Sequence, residues 1–327
     1  MNNIDLPLVS VIIPVYNNGC YIEACIQSVI HQTYQRIEII IVNDCSTDNS
    51  SIIIERYRKS DSRIVCVSNS MNRGVALARE SGFCKAKGKY IQYLDGDDTL
   101  MQDAICCLVR KAEEEDADIV VSPFFFCYPG KKPEHSMPLE FTRISNIEYL
   151  RKILMNRGYW SVWSHFQKRS FVLKSKVETV GGISIGEDAI LMVQLILSAS
   201  KIVSLDIPIL NYNRDSSLIS FLPGNPKYKD FRAYQMWIEN YIESNGFREE
   251  FQMELARMHL QTTFQSLYWK QFDDFDKDMK RLIMDLKLYP GLSTSLSRRE
   301  TKIVKTYIMS PYFGHLRLLY YCKRGKI

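Results

Sequence analysis

The chain has 327 residues, a hydrophobic content of 46%, a formal net charge of +5 and a pI of about 8.6. This length suits one large or two smaller domains, and the charge is too weak to argue for nucleic-acid binding. The nine cysteines include no CxxC pair, so reduced cytosolic thiols fit better than a zinc or thioredoxin-like site. The N-terminus lacks the features of a signal peptide, and no apolar run approaches the ~20 residues of a membrane span. We therefore expect a cytoplasmic protein, with peripheral association at the inner membrane face as an option.

Short apolar runs alternate with helical patterns through the first 122 residues. The runs predict strands at 9–14, 38–43, 64–67, 90–94 and 118–122. The helical patterns cover 21–31, 49–59, 74–86 and 101–115. Strands that alternate with helices are typical of a mostly parallel sheet with right-handed crossovers. The sequence therefore predicts an α/β fold with a Rossmann-like sheet flanked by helices.

The pattern is looser after residue 123. Residues 124–138 read as a loop or hairpin, helices are expected at 147–155 and 189–199, and a last strand at 201–210. Beyond about residue 225 the chain reads as helices. We predict a catalytic domain at 1–215, with a nucleotide-binding half at 1–123 and an acceptor-binding half at 124–215, and a helical C-terminal region at 216–327.

An acidic turn follows the predicted strand at 90–94. It places Asp95, Asp97 and Asp98 within four residues. Like charges this close are unfavourable unless a positive group or water screens them. A divalent cation fits, because Mg²⁺ takes carboxylate oxygens and shares them with substrate phosphates. The alternative is a solvated turn in which Asp98 or Thr99 caps the next helix.

Polar residues also follow the first two predicted strands. In an open α/β sheet, ligands bind outside the carboxyl ends of the strands, where Asn17, Asp44 and Asp95 are expected to meet. A dinucleotide-binding domain would need G-x-G-x-x-G after the first strand, and this chain has only Asn-Asn-Gly at 17–19. A nucleoside diphosphate bridged by a metal at the acidic turn is therefore the predicted ligand.

Five motifs in order resemble family 2 glycosyltransferases of the GT-A fold. They are VIIPVYN at 11–17, VNDCSTD at 42–48, NRG at 72–74, GKYI at 88–91 and LDGDD at 94–98. GED at 186–188 is similar to the later acidic motif of the family, and the resemblance runs from about residue 8 to 210. It implies a GT-A fold and transfer of a sugar from a nucleotide-sugar donor with inversion at the anomeric carbon.

The resemblance implies a group of donor-binding residues at matching positions. Asp44 matches the acid that hydrogen-bonds the base, usually uracil, and Asp95 matches an acid near the ribose. Asp97 matches the metal ligand, for Mg²⁺ or Mn²⁺, and Arg73 sits where a basic group can meet phosphate. The nucleotide-binding set is Pro14, Val15, Tyr16, Asn17, Asp44, Arg73, Asp95 and Gly96.

The same resemblance implies that Asp188 is the general base. Glu187, Trp163 and His165 are the expected acceptor-side residues, although the two aromatic positions also fit a core. A simpler role for Glu187 and Asp188 is to favour the N-terminus of the following helix through its dipole. The chain departs from many relatives at His165, where they have Lys, and at Glu80, where they have Asn.

The expected function is an inverting transfer from a UDP-sugar to a glycan or lipid-linked hydroxyl in bacterial surface polysaccharide synthesis. A nucleotidyltransferase is the alternative enzyme, but it would need a Gly-rich basic loop after the first strand. A non-catalytic nucleotide-sugar-binding protein would tolerate loss of the Asp188 carboxylate. The segment 303–327 mixes aromatic and basic residues, which fits either a helical cap or a surface that rests on anionic lipid.

Overall fold

The computed structural model describes residues 6–183, 185–214, 228–268 and 274–323. The chain forms two compact units, Met1–Ile219 and Ser220–Ile327. The domain boundary predicted at residue 215 lies outside the described residues.

The first unit is a mixed α/β structure, which confirms the predicted fold class. Its strands are β1 (Val9–Val15), β2 (Ile37–Asn43), β3 (Ile64–Ser68), β4 (Tyr90–Tyr93), β5 (Thr99–Leu100), β6 (Ile119–Val121), β7 (Phe125–Cys127), β8 (Glu134–His135), β9 (Arg143–Ile144), β10 (His165–Lys168), β11 (Ile202–Ser204) and β12 (Leu210–Asn213). Its helices are α1 (Ile22–Ile30), α2 (Ser50–Ser60), α3 (Val75–Lys85), α4 (Ala104–Glu115), α5 (Asn146–Leu154), α6 (Arg169–Ser175) and α7 (Glu187–Ser198), and a 3₁₀ turn covers Val162–Ser164.

The main sheet has the order β3-β2-β1-β4-β10-β6-β11-β9. The first four of these strands are parallel, and β10 inserts antiparallel between β4 and β6. A smaller sheet has the order β5-β12-β7-β8. The carboxyl ends of β1, β2 and β4 therefore lie side by side at one edge of the main sheet.

Helix α3 packs closely on the main sheet because it carries Gly82. A Cβ atom on Gly82 would lie 2.5 Å from Cγ2 of Ile12, in the centre of β1. A larger residue here would force the Ile12 side chain to shift, so glycine allows the close approach. The close packing fixes the helix against the sheet, and Arg79 lies one turn before the contact.

Two predicted elements differ from the structure. The single strand expected at 201–210 is instead β11 and β12, which belong to different sheets. Pro208 lies between them and has no backbone N–H to donate to a ladder. The reading of Asp98 as a helix cap is wrong, because its Oδ1 accepts a hydrogen bond from the Asn213 backbone N–H at 2.8 Å and α4 begins only at Ala104.

The described part of the second unit is helical. Its helices are α8 (Tyr228–Ser244), α9 (Gln252–Tyr268), α10 (Phe275–Leu288), α11 (Arg298–Met309) and α12 (Pro311–Lys323), with a 3₁₀ helix at Pro290–Ser295. A core of apolar side chains from α9 to α12 includes Leu260, Phe275, Met279 and Ile303. Among the described residues, the helices are all too short or too polar to cross a membrane.

Candidate active site

The loops that follow β1 and β2 are joined at the edge of the main sheet. The Asp44 backbone N–H donates to the Val15 carbonyl at 2.8 Å, and the Asn17 N–H donates to Ser46 Oγ at 3.1 Å. The Thr47 N–H donates a hydrogen bond of 2.8 Å to Asn17 Oδ1. Asn17 has a φ of +53°, a left-handed value that Asn tolerates better than most residues. These bonds hold the two loops as one wall of a crevice.

The predicted nucleotide loop exposes only part of its residues. Pro14 and Val15 are buried in β1, whereas Tyr16 is 47% exposed at the edge of the sheet. Gly96 lies against this loop, since a Cβ on it would be 3.3 Å from the Pro14 carbonyl oxygen. Gly96 is itself buried, so a ligand in the crevice can meet the Tyr16 ring but not the side chains of Pro14 and Val15.

Asp44 organises a third loop. Its buried carboxylate accepts from Asn69 Nδ2 at 2.7 Å and from the backbone N–H groups of Arg73 and Gly74, the latter at 2.8 Å. The Arg73 side chain itself is exposed. The structure thus gives Asp44 a clear role in fixing the 69–74 loop, and its predicted contact with a base stays a prediction.

The acidic turn carries more negative charge than the described residues neutralise. Burial, followed by the charge of Asp95, raises the pKa of Asp97 to about 6. Burial and the neighbouring carboxylates also raise the pKa of Asp98, whose Oδ2 has no hydrogen-bond partner among the described residues. A positive group at this turn would stabilise the ionised carboxylates.

Arg79 joins two of the predicted site acids, and the sequence did not reveal it. Its Nη2 donates to Asp95 Oδ1 at 2.8 Å, and its Nη1 donates to Asp188 Oδ1. The guanidinium is almost completely buried. Burial lowers the pKa of Arg79, but the charges of Asp188 and Asp95 outweigh this effect and raise it. The sequence drew attention only to the next residue, Glu80, and the partners of Arg79 became visible only in the fold.

Asp188 lies in the first turn of α7, after Gly186 with a φ of +89°. Its Oδ2 accepts the Val162 backbone N–H at 3.0 Å, while its Oδ1 faces Arg79. Burial raises the pKa of Asp188, and the Arg79 guanidinium opposes that rise. Burial and the Asp188 charge raise the pKa of Glu187 to about 7. Since a carboxylate has about four acceptor sites, Asp188 retains the capacity to take a proton from a hydroxyl.

The structure corrects the predicted acceptor role of two residues. His165 is fully buried in β10, where Nε2 lies 2.7 Å from Tyr149 Oη and Nδ1 lies 2.8 Å from the Ser161 carbonyl. Burial lowers the pKa of His165 to about 4, so its ring is neutral at pH 7. Trp163 is also buried, with its ring centroid 4.6 Å from that of Phe124. Both side chains belong to the core of the first unit and do not reach an acceptor.

The acidic turn supplies some, but not all, of the ligands that a hard divalent cation needs. Among the described residues, there is no cluster of three His, Cys, Asp or Glu side chains that could hold a metal by itself. Asp97, with Asp95 beside it, supplies the oxygen ligands that Mg²⁺ and Mn²⁺ prefer, and the donor's phosphates would complete the shell. A cation would also offset the charge that raises the pKa of Asp97.

The first unit has the GT-A fold, with a large mixed sheet flanked by helices and with Arg79 joining Asp95 to Asp188. The family model described as glycosyl transferase family 2 matches residues 10–181, more than half of the chain. The chain therefore belongs to glycosyl transferase family 2.

Curated relatives are also glycosyltransferases or polysaccharide proteins. The chain is 29% identical over 264 residues to the uncharacterized glycosyltransferase EpsJ of Bacillus subtilis, covering 78% of this chain and 76% of EpsJ. It is 34% identical over 198 residues to the minor teichoic acid biosynthesis protein GgaB of the same organism. That match covers 59% of this chain but only 21% of GgaB.

Solved structures share the fold. TarS of S. aureus, residues 1–349, in complex with UDP-GlcNAc, aligns with a TM-score of 0.70 and 17% sequence identity. The alignment covers 98% of this chain and 92% of the TarS chain. At this identity the match supports the fold, and the ligand named is that of TarS.

Proposed function

We propose that this glycosyltransferase moves a sugar from a UDP-sugar to a hydroxyl of a glycan or lipid-linked acceptor, with inversion, in bacterial surface polysaccharide synthesis. The observation that carries the proposal is the buried Arg79, which joins Asp95 of the acidic turn to Asp188 at the start of α7. The ligand named for TarS and the teichoic acid role named for GgaB support the UDP-sugar and the polysaccharide. Because these proteins resemble this chain, we include a UDP-sugar donor and a role in polysaccharide synthesis in the proposal.

The chain's own residues account for a single displacement. The loops after β1 and β2 bind the nucleotide, and Asp97 would hold Mg²⁺ or Mn²⁺ at the acidic turn. When bound, that cation stabilises the charge on the leaving group. Arg79 and the Val162 N–H orient the Asp188 carboxylate. Asp188 then accepts the proton of the acceptor hydroxyl as the oxygen attacks the anomeric carbon. No second carboxylate nucleophile is required, in contrast to a retaining glycosidase.

A thermal-shift screen of nucleotide sugars with Mn²⁺ tests the proposal. A ligand that binds only the folded state raises its melting temperature. We expect UDP and UDP-sugars to raise it more than the GDP, CDP and dTDP equivalents. If no nucleotide sugar changes the melting temperature, the proposed function is wrong.

We predict that Asp97→Ala weakens UDP binding in Mn²⁺ by about 1.4 kcal/mol or more, a factor of about ten. The reason is that the proposed cation loses its protein ligand. Titration calorimetry with Mn²⁺ and with EDTA measures the effect. Asp116→Ala, an exposed acid paired with Lys168, is the control and should bind like the wild type. Equal binding with and without metal in the wild type and in Asp97→Ala would contradict the metal site.

We also propose that the chain associates peripherally with the membrane through exposed residues of α11 and α12. Tyr312, Phe313 and Met309 are 60% or more exposed, and exposed Lys305 and Arg317 lie on the same two helices. Exposed aromatics with basic neighbours suit an anionic lipid surface. The basic residues Arg324 and Lys326, which also suggested this role, lie outside the described residues.

Replacing both Tyr312 and Phe313 with Ser is predicted to weaken binding to anionic vesicles by about tenfold or more, since two large apolar side chains no longer insert. Vesicle co-sedimentation measures this binding. The control is Ile52→Ser, which removes an apolar side chain that is 74% exposed on α2. Binding that is unchanged in the double variant, or equally reduced in the control, would exclude this surface.

A further inference from the structure

His165 and Asp188 bind the two ends of one peptide group. The His165 ring nitrogen Nδ1 lies 2.8 Å from the Ser161 carbonyl oxygen. The N–H of the same peptide group belongs to Val162, and it donates to Asp188 Oδ2 at 3.0 Å. A trans peptide group is planar, with its C=O and N–H pointing in opposite directions. The side chain that fixes the Ser161 carbonyl therefore also fixes the direction of the hydrogen bond that Asp188 receives.

The contacts of the His165 ring define where its proton lies. A carbonyl oxygen only accepts hydrogen bonds, so Nδ1 carries the hydrogen and donates it to Ser161. Burial lowers the pKa of His165 to about 4, and the ring is neutral at pH 7. Nε2 then has no hydrogen, and it accepts from the Tyr149 hydroxyl at 2.7 Å. Both polar atoms of this buried ring are thus satisfied.

These hydrogen bonds form one chain with a single direction. Each donor points towards Asp188: the Tyr149 hydroxyl to His165, His165 to the Ser161 carbonyl, and the Val162 N–H to the carboxylate. Aligned hydrogen bonds polarise one another in a medium of low dielectric constant. The bond from His165 therefore makes the Val162 N–H a stronger donor as well as a better oriented one.

The 3₁₀ turn at Val162–Ser164 is held to the main sheet on its other carbonyls. The Trp163 carbonyl accepts from Gln92 Nε2 at 2.7 Å, and the Ser164 carbonyl accepts from the Ser122 N–H at 2.9 Å. The Ser161 carbonyl also accepts from the Ser164 hydroxyl, but that residue lies within the same turn. His165 belongs to β10, so its ring connects the Ser161 carbonyl to the sheet.

Each oxygen of the Asp188 carboxylate has one fixed donor. Oδ1 faces Arg79 and Oδ2 faces the Val162 N–H. Burial raises the pKa of Asp188, whereas Arg79 and the Val162 N–H both act to lower it. Loss of the Val162 hydrogen bond would leave the carboxylate held at Oδ1 alone and free to turn about that contact. Its ionisation and its orientation thus both depend on the Ser161–Val162 peptide group.

We propose that His165 is a positioning residue for Asp188 and that it acts through the Ser161–Val162 peptide group. The inference deepens the proposed function and rests on it for the role of Asp188 as the base. It gives His165 no contact with donor or acceptor, in agreement with the complete burial of its ring.

The variants His165→Asn and His165→Gln separate the roles of the two ring nitrogens. The Asn amide lies as many bonds from Cβ as Nδ1 does, so it still donates to the Ser161 carbonyl. The Gln amide lies as many bonds from Cβ as Nε2 does, so it meets Tyr149 instead. We expect His165→Gln to lower turnover by about tenfold or more, because the base is misplaced, and His165→Asn to keep most of it. A ring that only filled the core would give the opposite order, since Asn is the smaller side chain.

Turnover is measured as UDP released from UDP-N-acetylglucosamine, with water as the acceptor. Tyr34→Phe is the control for a general loss of stability. It removes a buried hydrogen bond to the carbonyl of Pro7, ahead of β1, and should lower the melting temperature without lowering turnover.

The titration of the Asp188 carboxylate gives a second readout that needs no substrate. NMR of the full chain, labelled with ¹³C at the Asp carboxyl carbons, follows this titration, and Asp188→Asn assigns the signal. A carboxylate that loses a hydrogen-bond donor has a raised pKa. The pKa of Asp188 should therefore rise in His165→Gln and stay near the wild-type value in His165→Asn. Arg79, Asp95 and Glu187 also act on Asp188 and are unchanged in both variants.

Two results would overturn the inference: an Asp188 pKa that does not change in His165→Gln, or lower turnover in His165→Asn than in His165→Gln. Failure of the proposed function gives a different pattern. In that case the wild type releases no UDP, or Asp188→Asn releases it at the wild-type rate. The carboxylate titration still decides whether His165 acts on Asp188.

Discussion

Asp188→Asn is expected to lower the turnover number by about 10² to 10⁴-fold, the usual contribution of a general base. An amide has nearly the same shape but does not take the proton of the acceptor hydroxyl. UDP affinity should change little, because the proposed nucleotide crevice is formed by the loops after β1, β2 and β4. The loss should therefore appear in turnover rather than in donor binding.

Release of UDP from the donor, measured in the presence of acceptor, gives the turnover number, and calorimetry gives the UDP affinity. Asp116→Asn makes the same chemical change at an exposed acid and should keep full activity. An Asp188→Asn variant that turns over at the wild-type rate would reject Asp188 as the base and would favour a non-catalytic role for this acid.

Arg79→Met is expected to destabilise the first unit by about 3 kcal/mol, because it leaves two partly buried carboxylates without their cation. Turnover should also fall, since Asp188 loses the group that orients it. Arg58→Met is the matched control, in which the exposed pair with Glu55 is broken at a cost of about 1 kcal/mol or less.

Hydrogen exchange of peptides from β1 and β4 measures the local stability of the first unit. Adding Asp188→Asn to Arg79→Met should recover part of that stability, because it removes one unpaired charge, but it should not recover turnover. A destabilisation no larger than that of Arg58→Met would show that Arg79 does not hold the two acids together.

The strands and helices of the N-terminal part of the chain were predictable because the sequence patterns that define them are local. The β-branched runs at 9–14 and 38–43 match β1 and β2, and the helical pattern at 74–86 matches α3 to within one residue at each end. Because predicted strands and helices alternate along the chain, a parallel sheet is the expected arrangement. The predicted strands also placed Asp44 and Asp95 in the segments that follow β2 and β4.

The rest depended on contacts between distant residues. β10 lies in an aromatic stretch without strand periodicity, and it forms only because it pairs with β4 and β6. Arg79 and Asp188 are 109 residues apart in the sequence, so no local sequence pattern predicts their ion pair. The resemblance suggested an acceptor-side role for His165. The side chain is fully buried, so it belongs to the core instead.

Crystals of the chain with UDP and Mn²⁺, measured at a wavelength where manganese scatters anomalously, test the central claim most directly. We predict one anomalous peak about 2.1 Å from a carboxylate oxygen of Asp97 and bridged to the UDP phosphates. A nucleotide bound without manganese, or manganese bound away from Asp97, would contradict the account.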